Sequence, residues 1–104
     1  MKRKLIELAY ARSGDKGSNV NIGLIARQPN DYELLKMRVT EKEVSKFFSA
    51  LSPTEVIRYE LPNLNAFNFV LKGVLQGGGS LSLGSDAQGK AMEQALLEME
   101  IDDE

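Results

Sequence analysis

Hydrophobic and polar positions alternate across residues 4–11. Ile6, Leu8 and Tyr10 fall on one side and Leu5, Glu7 and Ala9 on the other, a period of two that predicts a strand. Residues 20–27 repeat the pattern through Val20, Ile22, Leu24 and Ala26. Between them, residues 12–19 are too polar to bury and too many for a two-residue hairpin, so they predict a loop. The period then changes to that of a helix. Asn30 and Glu33 open a short one, continued by Leu35 and Val39. Thr40 with Glu43 is a capping box, ahead of Val44, Phe47, Phe48 and Leu51 at i, i+3, i+4 and i+7. Ser52, Pro53 and Thr54 stop this helix, and residues 56–61 predict a third strand with Ile57, Tyr59 and Leu61 on one side.

Pro62 and Asn63, the latter as cap, predict another helix through Leu64, Phe67, Leu71, Val74 and Leu75. Phe69 and Val70 widen its apolar surface until little polar face remains, which suits a central helix or one packed on a partner chain. Gly77, Gly78 and Gly79 end it, and residues 80–83 have the pattern of a short fourth strand. Ser85 or Asp86 caps a last helix, with Gln88 in the capping-box position from Ser85 and a buried stripe of Met92, Ala95, Leu96 and Met99. The acidic tail, residues 98–104, is expected to fray. This order predicts one α+β domain over residues 1–104. Its nearest architecture is a ferredoxin-like sandwich, a mostly antiparallel sheet covered by helices, with an extra terminal helix.

Composition narrows the function. The 104 residues are 42% hydrophobic and 27% charged, ordinary values for a folded chain with one core. A net charge of −2 lacks the basic excess of a nucleic-acid binder. No apolar run is long enough to span a bilayer, and the basic start, Lys2, Arg3 and Lys4, is not followed by a signal-peptide core, so a cytoplasmic location is expected. The chain has no Cys, His or Trp. Cys/His zinc sites, Cys nucleophiles and any Ser-His-Asp arrangement are excluded, and neither metal nor cofactor is expected. Acid–base chemistry is left to Asp, Glu, Lys and Tyr with strongly shifted pKa values, which disfavours a self-sufficient enzyme.

Two glycine-rich segments carry the remaining candidate chemistry. The first places Arg12, Ser13, Asp15 and Lys16 among Gly14 and Gly17 after a strand, where successive N–H groups can turn toward an anion. Arg12 and Lys16 would supply charge, and Asp15 would orient one of them or act as a base. The same residues also suit a solvated hairpin loop whose charges pair with one another, and the spacing matches neither a Walker loop nor GxGxxG. The second segment ends at a helix start that favours anions, with Lys90 in the first turn. Asp86 would occupy those same N–H groups, and a plain cap explains it as well. Asn65 and Asn68 face a pocket, a subunit contact or solvent, and Met37, Met92 and Met99 read as core filler.

Three segments together, LAYARSGDKGSNVNIGLIAR, YELPNLNAFNFVLKGVLQGGGSLSL and DAQGKAMEQALLEMEI, resemble the AtuA-like domain, the C-terminal part of acyclic terpene utilisation A proteins. The likeness runs from about Leu8 to Ile101 and is weakest over residues 28–53. It implies a ferredoxin-like fold, normally joined to a larger N-terminal domain that this sequence does not contain. It also implies an association with catabolism of acyclic terpenes such as citronellol and geraniol, beside acyl-CoA carboxylases. The matching positions are Arg12, Ser13, Gly14, Asp15, Lys16, Gly17, Asn21 and Gly23, then Pro62, Asn63, Asn68, Gly77, Gly78, Gly79, Asp86, Gln88, Gly89 and Lys90. Gly84 stands where an arginine is expected.

The resulting expectation is an accessory or binding subunit. It would work with a separate AtuA N-terminal-type partner or as a homo-oligomer, and hold an anionic ligand such as an acyl-CoA or carboxylate. The alternative is an enzyme or half-enzyme in which Asp15 and Lys16 exchange protons while Arg12 and the helix start near Lys90 grip the carboxylate or phosphate. A weaker third reading is a sensor of acyl-CoA metabolites. A shared site requires Asp15 and Lys90 to lie on the same side of the fold.

Overall fold

The structure is a computed structural model that describes residues 1–16, 19–74 and 90–102, with backbone alone for Asp15, Lys16, Lys90 and Ala91. In chain order it holds β1 (Lys2–Lys4), a 3₁₀ turn (Leu5–Glu7), β2 (Ala9–Lys16) and β3 (Asn19–Ala26). Helices α1 (Asp31–Arg38) and α2 (Glu41–Phe47) follow, then a 3₁₀ turn (Ser49–Leu51) and β4 (Glu55–Leu61). A third 3₁₀ turn (Pro62–Leu64) leads to β5 (Ala66–Lys72), and the chain is described again at α3 (Lys90–Leu97) and β6 (Glu100–Asp102).

Strands β2, β3, β5 and β4 form one sheet in that order, each antiparallel to its neighbours. Strands β3 and β4 are therefore parallel, joined through α1 and α2 with β5 inserted between them. This is the split β-α-β arrangement of a ferredoxin-like sandwich. The connectivity is permuted. In the plain unit a final strand follows the last helix and lies beside the first strand; here β2 takes that place and reaches β3 by a hairpin. Helix α3 packs on β2 and leads instead to β6, which pairs with β1 in a separate two-stranded ribbon.

One face of the sheet carries the core. Val20, Ile22 and Leu24 of β3 alternate with exposed or half-buried residues, as do Phe67, Phe69 and Leu71 of β5. Against them pack Tyr32 and Leu35 of α1, Val44 of α2, and Met92 and Leu96 of α3. Tyr32 stacks flat on Phe67, ring centroids 4.7 Å apart. The Thr40 cap forms as its sequence predicts, the hydroxyl accepting from the Glu43 N–H at 3.2 Å. Asn30 precedes α1, but its side chain makes no capping bond.

Strand β4 runs against its own pattern. Its apolar side, with Ile57, Tyr59 and Leu61, faces away from the helices, and Arg58 takes the inner side. The Arg58 guanidinium donates to the carbonyls of Lys36 (2.8 Å) and Val39 (2.9 Å) at the C-terminal end of α1 and lies 5.1 Å from the Phe67 ring centroid. Strands β2 and β4 are the outer strands of the sheet, and on each a glutamate from a helix meets a backbone N–H. Ser13 donates to Glu93 at 3.0 Å, and Arg58 donates to Glu41 at 2.7 Å.

Met37, expected as core filler, is 65% exposed on α1, and four larger expectations are overturned. Residues 4–11 are not one strand. Leu5 and Leu8, one 3₁₀ turn apart, are the buried pair, while Ile6 and Tyr10 are exposed, and the Leu5 N–H donates across to Met99. Residues 12–16 are strand and not loop, because the hairpin ladder with β3 continues to the pair Lys16–Asn19. The helix expected over residues 63–75 is the inner strand β5, buried on both edges between β3 and β4. Its apolar density therefore comes from a place inside the sheet and gives no reason for a partner chain. Asn63 consequently caps no helix and lies exposed in the 3₁₀ turn, which closes at Asn65 in the left-handed conformation (φ 52°). The acidic tail does not fray at residues 100–102, since β6 pairs with β1 and buries Ile101. The glycine stop at Gly77, the strand at residues 80–83 and the cap at Ser85 or Asp86 lie outside the described residues.

Candidate functional site

Helices cover one face of the sheet and leave the other open. Cross-strand register sets what that open face displays. Its middle row runs Arg12, Gly23, Asn68 and Tyr59 across β2, β3, β5 and β4. Toward one end lies the row Tyr10, Ile25, Ala66 and Leu61; toward the other lies Gly14, Asn21, Val70 and Ile57. The face is thus apolar at one end and polar through its centre.

Two adjoining concavities follow this division. One, of about 310 Å³, is bordered by Arg12, Asn21 and Asn68 with Gly14 and Gly23 in its floor. Asn21 and Arg12 are exposed and Asn68 is half-buried. The other, of about 490 Å³, is bordered by Ile25, Tyr59, Leu61, Leu64 and Ala66 and shares Gly23 and Asn68 with the first. Outside it, across from Ile25 on β2, Tyr10 stands under the Arg27 guanidinium, 4.1 Å from the ring centroid, and that guanidinium is itself fixed by a 2.9 Å bond to the Ile6 carbonyl.

Ser13 points away from this face. Its hydroxyl donates to Glu93 Oε1 at 2.8 Å, alongside the backbone bond to the same oxygen, and pins α3 to β2. With Glu93 at Ser13 and Met99 at Leu5, α3 runs antiparallel to β2, so its Lys90 end lies toward Lys16. Asn19 accepts the Gly73 N–H at 3.3 Å and brings the end of β5 to the same place. The Lys90 end of α3 and the Lys16 end of β2 thus lie at the same end of the fold, with α3 on the covered face of the sheet. The side chains of Asp15, Lys16 and Lys90, and Gly17, Gly77, Gly78, Gly79, Gly84, Asp86 and Gln88, lie outside the described residues. Asn63 is at the opposite end of the sheet, in the turn between β4 and β5.

The structure thus gathers Arg12, Gly14, Asn21, Gly23 and Asn68 on one face; Ser13 borders the same concavity but turns its hydroxyl to Glu93, and Asn63 lies apart. The apolar half, with Ile25, Tyr59, Leu61 and Leu64, is absent from the sequence-predicted site. Its signal was present in β4: a strand whose inner side would carry Arg58 and Glu60 must turn Tyr59 and Leu61 outward if that arginine has carbonyls to bind.

These features define an α+β sandwich with ferredoxin-like strand order and one uncovered sheet face. Residues 3–102 match the AtuA ferredoxin-like domain, and the chain belongs to that family. No curated protein and no solved structure matches it. Among the described residues, no helix is long and apolar enough to cross a membrane.

Proposed function

We propose that this chain is a binding module, an accessory subunit that holds the anionic group of a small ligand on its open sheet face for use by a partner chain. The observation that carries this reading is the cluster of Arg12, Asn21 and Asn68 around one concavity. Arg27 and Arg58 spend their guanidinium groups on carbonyls of the fold. The Arg12 guanidinium, by contrast, has no hydrogen bond or ion pair among the described residues, and the same holds for the Asn21 and Asn68 side chains. Arginine offers five donors in a planar fork that fits a carboxylate or phosphate, and each amide adds two more. Donors gathered over a glycine floor and left without acceptors suit an anion. A carboxylate or acyl-CoA ligand, as the family resemblance implies, has the required group.

The test compares octanoate with 1-octanol by isothermal titration calorimetry at low salt. Octanoate is expected to bind at least tenfold more tightly, about 1.4 kcal/mol, and to weaken as salt screens the exposed arginine. Arg12→Gln should remove that preference without moving the unfolding midpoint. Equal affinity for the acid and the alcohol would overturn the reading. Light scattering and pull-down with an AtuA N-terminal domain examine the accessory role; a monomer with no affinity for that domain counts against it.

A further inference from the structure

We infer that the ligand is amphipathic, its apolar tail lying along the Ile25–Leu61–Leu64 end of the face, and that Gly23 is the position that admits it. This rests on the anion reading above and adds the other half of the molecule. The larger concavity has no charged side chain in its lining and adjoins the polar one at Gly23 and Asn68. Leu61, Leu64 and Tyr59 are 40%, 65% and 51% exposed, although β4 could have buried its apolar side had Arg58 not taken the inner one. A polar, arginine-bearing end and an uncharged apolar end in one trough fit a head and a tail.

Gly23 is the sharper clue. It sits in the middle of β3, an inner strand, where glycine contributes no packing and costs conformational entropy. Its backbone is not in the left-handed region. A Cβ built there would meet nothing closer than the Arg12 carbonyl oxygen at 3.7 Å, an ordinary contact. Neither the fold nor the packing therefore requires glycine. What a side chain would do is stand up between the two concavities and divide the trough. Gly14 differs, since a Cβ there comes within 3.1 Å of Asn21 Oδ1. From Asn21 to Ile25 the trough extends about 13 Å along β3, which suits an extended medium-length chain.

The experiment titrates butyrate, octanoate and dodecanoate, the last below its micelle concentration, into the wild-type chain, Gly23→Val and Leu61→Asn. Affinity should rise about two- to fourfold per added methylene in the wild type, as expected for partial to full burial of each group. Gly23→Val should flatten that rise to within twofold across the series, and Leu61→Asn should blunt it for dodecanoate most. Gly23→Ala replaces the valine variant if that fails to fold. Binding that is independent of chain length, or a slope that survives at Gly23→Val, would overturn the tail while leaving the anion site standing. Failure of every carboxylate to bind would overturn the anion reading itself and this inference with it.

Discussion

Removing the Arg58 side chain should be among the most damaging single changes to this fold, and its cost can be worked from its contacts. The guanidinium makes two hydrogen bonds to carbonyls where α1 ends, at 2.8 and 2.9 Å, with a side chain only 15% exposed. A charge-assisted bond contributes about 1.5–3 kcal/mol when enclosed, and the more open bond to Lys36 falls at or below that range. The cation facing Phe67 adds about 0.5–1 kcal/mol, and the end of α1 favours a positive charge by a similar amount. The pair with Glu60 at 3.2 Å adds little because it opens to solvent. Arg58→Met, which keeps the stem packing, should therefore lose about 3 kcal/mol of a total of roughly 5–15 kcal/mol. Urea unfolding followed by far-ultraviolet circular dichroism measures it, with an unchanged m value as the check on two-state behaviour. The melting temperature should fall by more than about 10 °C. Arg58→Lys keeps the charge but loses the fork, and should fall between the two. A loss below about 1 kcal/mol for the methionine variant would refute the reasoning.

Tyr32→Phe should stabilise the fold by about 1 kcal/mol in the same assay, since the Tyr32 hydroxyl is buried without a hydrogen-bond partner among the described residues while its ring keeps the stack on Phe67. Gly73→Ala should destabilise by about 1–2 kcal/mol, because φ is +78° and a Cβ would lie 3.0 Å from Thr54 Cγ2; Thr54→Ser should recover part of the steric share. Lys4 is raised above 10.5 by its 2.7 Å hydrogen bond to Glu98 and by that carboxylate's charge. A raised lysine stabilises the native state at all pH values below 10.5 and loses that contribution as pH climbs through the higher native value. Glu98→Gln should accordingly melt below the wild type at neutral pH, with the gap closing at strongly alkaline pH; a gap that stays constant would contradict the pairing.

The features most legible in the sequence were those fixed by local chemistry. Thr40 and Glu43 announce the start of α2 because a hydroxyl three residues ahead of an N–H can reach it in any context. Val20, Ile22 and Leu24 announce β3 because strict alternation leaves no other face to bury. Residues 66–72 misled because a strand enclosed on both edges becomes apolar enough to resemble a buried helix. Phe67, Phe69 and Leu71 alternate, and the apparent widening of the helical face by Phe69 and Val70 was in fact the signature of a period of two. The open-face site was half legible. Arg12, Gly14, Asn21 and Asn68 stood out as motif residues, whereas Tyr59, Leu61 and Leu64 read as ordinary core until the pairing of β4 with β5 showed which way Arg58 faces. That orientation depends on where α1 ends, a fact held in tertiary structure and not in any window of sequence.

The carboxylates that reach the two outer strands set how copies of this domain can meet. A sheet lengthens when a foreign strand finds a free row of donors and acceptors along its rim. Here Glu93 stoppers one rim at Ser13 and Glu41 stoppers the other at Arg58. Each comes from a helix that would have to lift off before a strand could add. Zipping rim to rim into a continuous ribbon, the route toward fibrils, is thereby obstructed on both sides.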